Sequence, residues 1–442
     1  KNEVIQEKYG AFITFLQKLE APRKKGVLYG LPLSVKDNIC TRNIQTTAGS
    51  RILEGYMPPF DATAVDWTKN EGAVVIGKTV MDEFGFGTFS VNSAYGIPKN
   101  PLDADRTCGG SSGGASCLTL AADFPHVALA ESTGGSISCP AAFTGTVGLT
   151  PTYGLVSRWG LIDYANSLDK IGCIGKAVYD VALLLSAIAG SDAQDSTSLT
   201  TSKQDYTKYL VKNVKGMKIG VPKEYFEGLD AKVVKIVWDA IKKLEDEGAT
   251  YKEVSLPHTE YALPSYYIIA VSEASTNLAK YAGMRYGLHM ALQGNFDEYF
   301  STVRSAGFGE EAKRRIILGT FARMAGYRDA YYLKALKVRT KVIEDFKNAF
   351  KKFDVIAAIS MSFPIYDKGI LGALRVTQIH KNLVLGKFDK YVVSYVLGGS
   401  LVRGTSIKTS DVDVFLIIND TDVKRMSRIE LKERLRGMIY KF

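Results

Sequence analysis

The sequence predicts an α/β layer architecture, and three observations carry that prediction. Helix-like and strand-like patterns alternate from the N-terminus to about residue 225, and residues 230–355 are mostly helical in pattern. The chain has 442 residues, of which 46% are hydrophobic, enough for two or three units with substantial cores. With 23% charged and 11% aromatic residues the composition is globular, which excludes wholesale disorder and collagen-like repeats. No apolar run reaches the roughly 18 residues of a membrane helix, so a transmembrane protein is disfavoured.

Residues 1–25 read as a helix, because Ile5, Tyr9, Phe12, Phe15, Leu16 and Leu19 recur at helical spacing before Pro22. A strand follows in which Leu31, Leu33 and Val35 alternate with Pro32, Ser34 and Lys36. Helix 61–72 leads into the strand Ala73–Gly77. Between residues 80 and 160 the composition turns to Gly, Ser, Thr and Asn, a density of glycine that marks tight turns and close backbone approach. Helical patterns over 231–248, 259–293, 308–325 and 327–350 read as a cover over the sheet. The periodicity breaks at 361–375, and new strand patterns begin at 391–397 and 411–418. The expected organisation is therefore a unit over 1–365, a junction over 366–375 and a separate piece over 376–442.

Cys40, Cys108, Cys117, Cys139 and Cys173 form no CxxC pair and are odd in number, which suggests neither a disulfide framework nor a zinc site and fits a reducing, cytoplasmic compartment. The chain opens Lys-Asn-Glu with no secretory leader, and reads as incomplete at its N-terminus. The net charge is +10. Residues 361–442 hold 14 Lys and Arg against 8 Asp and Glu, so the basic surplus belongs mostly to the last piece rather than to the body.

Three segments carry the chemistry: Ser34-Val35-Lys36-Asp37-Asn38, then Cys108-Gly109-Gly110-Ser111-Ser112-Gly113-Gly114, then Glu131-Ser132-Thr133-Gly134-Gly135-Ser136-Ile137-Ser138-Cys139-Pro140-Ala141. A serine flanked by glycines suits a nucleophile, because backbone amides can approach a developing oxyanion. Such a serine needs a base, and none of His126, His258, His289 and His380 sits in a triad motif. Lys36 is the alternative, since an amine desolvated in a sheet gives up its proton more readily. Taken singly, Lys36 also reads as an edge-strand lysine, and each Gly-Ser run as a phosphate-binding or plain loop.

Together and in this order, the three segments resemble the amidase signature family. The resemblance runs from about residue 27 to 365 and includes Pro151-Thr-Tyr-Gly-Leu-Val-Ser-Arg158. It implies a mixed central β-sheet covered on both faces by helices and a Ser–cis-Ser–Lys triad. Ser136 is then the nucleophile, Ser111 the bridging serine after a cis Gly110-Ser111 bond, and Lys36 the base. Thr133, Gly134 and Gly135 supply the oxyanion hole with the amide of Ser136, and the reaction needs no cofactor.

Within the family, Thr47–Ser50, Ser157–Leu161, Phe308–Thr320, Ala325–Tyr332 and Lys337–Arg339 resemble the glutaminase (A-type) subunits of tRNA-dependent amidotransferases. That resemblance implies glutamine as the amide, partner subunits B and C, charged tRNA reached through the complex, and ATP and Mg²⁺ used by the partner. It points to Arg315, with Tyr267 or Tyr266 nearby, for the glutamine α-carboxylate, a role that suits a bidentate guanidinium. A helix-surface arginine beside Glu310 and Glu311 is the other reading. A free-standing amidase and a non-catalytic nucleotide- or RNA-binding scaffold are the alternatives for the whole chain.

The family's usual aspartate and arginine flanking the nucleophile are Ser132 and Ser138 here, a form that resembles the archaeal branch. The family's C-terminal stretch, which supplies an acidic residue for the glutamine α-amino group and closing strands of the sheet, has no evident counterpart after about residue 365. Instead Gly399-Ser400, Arg403-Gly404-Thr405 and Ser410-Asp411-Val412-Asp413-Val414 resemble a small α/β nucleotidyltransferase of the polymerase-β type. That implies Asp411 and Asp413 as Mg²⁺ ligands beside a nucleoside triphosphate, in a fold lacking its third carboxylate.

Overall fold

The strand and helix patterns resolve into one mixed sheet in a computed structural model, which describes residues 1–359 apart from 212, 230 and 293, and the backbone of three later strands. The strands are β1 (Phe12–Phe15), β2 (Pro32–Lys36), β3 (Val74–Thr79), β4 (Lys99–Asn100), β5 (Asp103–Thr107), β6 (Val127–Ser132), β7 (Val147–Pro151), β8 (Lys170–Gly175), β9 (Leu210–Val211), β10 (Lys218–Pro222), β11 (Thr250–Val254), β12 (Val355–Ile359), β13 (Val384–Leu385), β14 (Val392–Leu397) and β15 (Val414–Ile418). The helices are α1 (Asn2–Tyr9), α2 (Thr63–Asn70), α3 (Gly113–Ala121), α4 (Ser138–Thr144), α5 (Val178–Ile188), α6 (Ala231–Asp246), α7 (Ala262–Asn277), α8 (Phe296–Gly307), α9 (Glu310–Arg323) and α10 (Lys334–Ala349).

The main sheet runs β1-β3-β2-β6-β8-β7-β14-β15-β12-β10-β11. It is mixed: β3, β2 and β6 are parallel neighbours, β6, β8 and β7 antiparallel ones, and β10 is parallel to both β11 and β12. The strand period of two divides the core between layers. Val127 and Leu129 of β6 pack with Val181, Leu184 and Leu185 of α5. Ala128 and Ala130 point the other way, onto Ala115 of α3 and Ile137. In β12 the same alternation sends Ala357 into the large core and Ile356 toward Ala349 and Phe346 of α10. Both faces of the sheet are thus covered, as the sequence leads one to expect.

Two element assignments need correcting. The helix read over 1–25 ends at Gly10, which caps α1 with φ 63° and donates its N–H to Gln6 O. Beyond it the run Phe12-Ile13-Thr14-Phe15 is β1, paired with β3, because aromatic and β-branched residues suit an edge position on the pleat. The helix read over 259–293 stops at Asn277, and a separate helix, α8, follows that the apolar periodicity does not mark. Its signal is polar: Asn295 Oδ1 accepts from Glu298 N (3.0 Å) while Glu298 Oε2 accepts from Asn295 N (3.1 Å), a capping box. The 361–375 seam lies outside the described residues, as do Asp411 and Asp413.

His126, just before β6, is 3% exposed; Nδ1 pairs with Thr119 Oγ1 (3.1 Å) and Nε2 has no hydrogen-bond partner among the described residues. Burial drives its pKa down to about 3. The unfolded chain therefore binds one proton more than the folded one between the ordinary imidazole value and about 3, so stability is full above that window and falls as pH drops through it, by about 1.4 kcal/mol per pH unit. Urea denaturation of wild type and His126→Gln from pH 7 to 4 should give a shallower loss for the variant; parallel curves would place the acid sensitivity elsewhere.

Candidate active site

The three motifs meet because each ends or begins an element at one edge of the sheet. Lys36 is the last residue of β2, and Thr133–Ser136 follow the end of its parallel neighbour β6. Ser111 lies just before α3. In open sheets of this kind the crevice beyond the carboxyl ends of parallel strands is where polar groups can converge without breaking the ladder. The Gly110–Ser111 peptide is cis, as expected. Ser112 N donates to Ser136 O (3.2 Å), which ties the two serine-bearing turns together.

Lys36 and Ser111 are 0% exposed and Ser136 is 7% exposed. Lys36 Nζ donates to Ser111 Oγ (2.8 Å), to the Glu131 carbonyl (2.9 Å) and to Glu131 Oε2 (2.9 Å). Three acceptors match the three hydrogens of an ammonium; an amine here keeps two of them and presents its lone pair to the Ser111 hydroxyl. That is the geometry of a base able to draw a proton from Ser111.

Glu131, part of the third motif but given no role by the sequence reading, proves central. Its Oε2 also accepts from Asn38 Nδ2 (3.1 Å), and its Oε1 lies 3.0 Å from Thr133 Oγ1. Thr133 Oγ1 is in turn 2.8 Å from Asp169 Oδ1, while Asp169 Oδ2 accepts from Tyr164 N (2.8 Å) and Ala165 N (2.9 Å). Burial, and then the neighbouring Glu131, hold the Asp169 carboxyl above the usual carboxylate range. Asp82, which no motif marks, accepts from Ser90 N (2.9 Å) and Asn92 N (3.0 Å) and so fixes the loop beside Gly110.

Segment 133–136 is walled by α7. A Cβ on Gly134 would fall 2.7 Å from Tyr266 Cζ, so only glycine lets the backbone amides stand this close to the ring. Segment 133–136 runs directly into α4, where Gly135 O accepts from Cys139 N (2.8 Å) and from Ser138 Oγ (3.1 Å). Ser138 is thus occupied locally, at the entry to α4.

Arg315 is 6% exposed, which removes the helix-surface reading even though Glu311 is its partner. Its Nε donates to Glu311 Oε1 (2.7 Å) and its Nη1 to Tyr164 Oη (2.7 Å). The guanidinium carbon lies 5.1 Å from the Phe86 ring centre and 5.4 Å from that of Tyr267. Tyr267 itself is 39% exposed and covers the arginine from outside; Tyr266, hydrogen-bonded to Tyr164, is the tyrosine that reaches the glycine turn. A cleft of about 540 Å³ bordered by Tyr56, Trp159, Asp163, Lys280 and Tyr286 contains none of Lys36, Ser111 and Ser136. Among the described residues no group of three or more His, Cys, Asp or Glu could hold a metal ion, and no helix is long and apolar enough to cross a membrane.

Comparison with known proteins gives the same frame. The A subunit of glutamyl-tRNA(Gln) amidotransferase from Methanosarcina mazei is 50% identical over 354 residues, 80% of this chain and 74% of the relative. The protein of the same name from Carboxydothermus hydrogenoformans is 50% identical over 380 residues, 83% and 78% of the two chains. Among solved structures, the Thermotoga maritima member of that same group of A subunits superposes with a TM-score of 0.73 at 34% identity, covering 94% of this chain and 84% of that one. The nucleotidyltransferase domain model matches residues 381–442, over the piece that holds the Gly-Ser and Asp-x-Asp pattern. The amidase model matches residues 13–396, spanning every motif that converges on Lys36, and the chain belongs to the amidase family.

Proposed function

We propose that this chain is the glutamine-hydrolysing component of a tRNA-dependent amidotransferase, acting through Ser136, Ser111 and Lys36. The observation that carries the reading is the 2.8 Å bond from buried Lys36 to the serine of the cis turn, which Ser112 N ties to Ser136 O. Lys36, as the amine, takes the Ser111 proton while Ser111 takes that of Ser136, whose oxygen attacks the glutamine carboxamide carbon. The amides of Thr133, Gly134, Gly135 and Ser136 receive the oxyanion. The proton returns through Ser111 to the leaving nitrogen, ammonia departs, and water hydrolyses the acyl-enzyme to glutamate.

Arg315 receives the α-carboxylate of glutamine. Its Nε and Nη1 are engaged by Glu311 and Tyr164, which fixes the plane of the guanidinium and leaves Nη2 outside both bonds for a carboxylate. Partner subunits B and C take the ammonia, and ATP with Mg²⁺ is used there to amidate Glu-tRNA(Gln) or Asp-tRNA(Asn). The sheet that carries the amidase motifs also takes in β14 and β15 from beyond residue 365, and within the nucleotidyltransferase-like piece Asp411 and Asp413 would be the residues to hold Mg²⁺ beside a nucleoside triphosphate. The test is ammonia release from glutamine and from simple carboxamides, by the full chain alone and with partner subunits, ATP-Mg²⁺ and charged tRNA. Glutamine is expected to be the preferred amide in the full assembly. No ammonia from glutamine under those conditions, with turnover of another carboxamide, would make the chain a free-standing amidase.

A further inference from the structure

The proton count behind Lys36 does not close with two ionised carboxylates. Thr133 Oγ1 is within hydrogen-bond distance of both Glu131 Oε1 (3.0 Å) and Asp169 Oδ1 (2.8 Å), and a hydroxyl has one hydrogen to give. If Thr133 gives its hydrogen fully to one carboxyl, the other makes a full hydrogen bond only by donating to Thr133 itself. All three groups are buried, Asp169 to 0%, Glu131 to 1% and Thr133 to 4%, so bulk water is not there to supply the missing donor. A single proton held between the two carboxyls through the threonine would complete the set.

We propose that Asp169, Thr133 and Glu131 form a proton relay that sets whether Lys36 is ammonium or amine. The relay has two hydrogen-bond-complete arrangements. In the first, Asp169 Oδ1 carries the proton and donates to Thr133, Thr133 donates to Glu131 Oε1, and the Glu131 carboxylate faces Lys36 as an ammonium. In the second, the Asp169 proton has passed to Thr133 Oγ1 and the Thr133 proton to Glu131 Oε1. Glu131 is then neutral and donates to Thr133, while its Oε2 still accepts from Lys36. With no anion against it, Lys36 gives its third proton to solvent through the Ser136 side and turns its lone pair to Ser111. Two O–H bonds break and two form inside the relay; only the lysine proton leaves.

The register of the sheet builds this device. Glu131 pairs with Ile171 and Ser132 with Lys170 across β6 and β8, so continuing the ladder sets Thr133 beside Asp169. Other charges face the same cluster. Lys170 Nζ donates to the carbonyls of Thr133 (3.5 Å) and Leu168, and burial lowers its pKa to about 8. Arg158 and Arg339 lie beyond Lys170, Asp82 acts on Lys36 from the Gly110 side, and Arg315 stands across Tyr164. None of these replaces the bond from Glu131 to Lys36, so Glu131 and Asp169 are positioning residues that act through the lysine.

This inference rests on the triad reading above, and the experiment separates the two. The readout is the rising limb of kcat/KM against pH for glutamine hydrolysis by the full chain with its partner subunits. Asp169→Asn keeps a donor toward Thr133 and locks the first arrangement, so the limb should move to higher pH by about one unit or more. Glu131→Gln donates to Thr133 and accepts from Lys36 as the neutral acid does, so the limb should move to lower pH by about as much. Thr133→Val should uncouple the two carboxyls, Thr133→Ser should restore the wild-type limb, and this pair serves if Asp169→Asn does not fold. A merely structural role moves both limbs the same way or not at all, and either result overturns the relay. If Ser136→Ala keeps full activity, the triad itself fails; if Ser136→Ala is inactive while the limbs stay put, only the relay does.

Discussion

Ser136→Ala should lower kcat for ammonia release by about 10⁴-fold or more while leaving the fold intact, because it removes the attacking oxygen and nothing that the core depends on. Lys36→Met should lower kcat by about 10²–10⁴-fold, the range for loss of a positioned base. The double variant should be no worse than Ser136→Ala, since the two side chains act on one proton and one bond. Stability separates them. Ser136 keeps a small exposed area, whereas Lys36 is fully buried and is the cation against Glu131. Removing it leaves a buried carboxylate unpaired, a change that costs about 3–5 kcal/mol unless Glu131 takes up a proton. Urea denaturation at neutral pH should therefore show Lys36→Met weakened and Ser136→Ala close to wild type. Equal stability of all three proteins would mean that Glu131 is already neutral opposite a neutral lysine.

The three motifs that meet around Lys36 are legible in the sequence because their parts are local: a strand that ends in lysine, a glycine-framed serine and a strand-to-helix turn are each defined by neighbours in the chain. What is not legible is what the sheet brings together. Asp169 stands in an unremarkable turn before β8, and only the antiparallel register of β6 and β8 sets it beside Thr133. Glu131 sits inside the third motif, yet its period-two neighbours on β6 are core residues and nothing local tells that its carboxylate points at Lys36. The Ser132 and Ser138 departures are visible as lost charges; that the neighbouring Glu131 is the acid bonded to the lysine is not. Arg314 and Arg315 illustrate the same limit. Both pair with Glu311, but Arg314 stays largely in solvent and Arg315 turns inward onto Tyr164, and the choice is made by α7 and the Phe84–Phe86 loop rather than by the helix they share.

That inward turn depends on how closely α9 lies on α7, and Gly319 sets the distance. A Cβ at Gly319 would collide with Val271 O and stand 2.9 Å from Ser275 Cβ, so the two helices meet at this point backbone to backbone. The same pair of helices carries Arg315 on one side and Tyr266 and Tyr267 on the other. Gly319→Val must therefore push α9 outward, with Arg315 one turn away from the added side chain. Overpacking of this kind should cost about 3 kcal/mol in urea denaturation. Exposed Ile317 on the same helix is the control, and Ile317→Ala should stay within about 0.5 kcal/mol of wild type. The kinetic signature is more telling than the stability. Lys36, Ser111 and Ser136 are carried by β2 and by the turns into α3 and α4, so the bond-making groups keep their places when α9 moves. Gly319→Val should then raise KM for glutamine by about tenfold or more with kcat nearly preserved, the pattern of lost ground-state binding. A fall in kcat at unchanged KM would instead mean that α9 holds the Gly134 turn through Tyr164 and Tyr266, and that Arg315 is a strut of the oxyanion hole rather than the receiver of the substrate carboxylate.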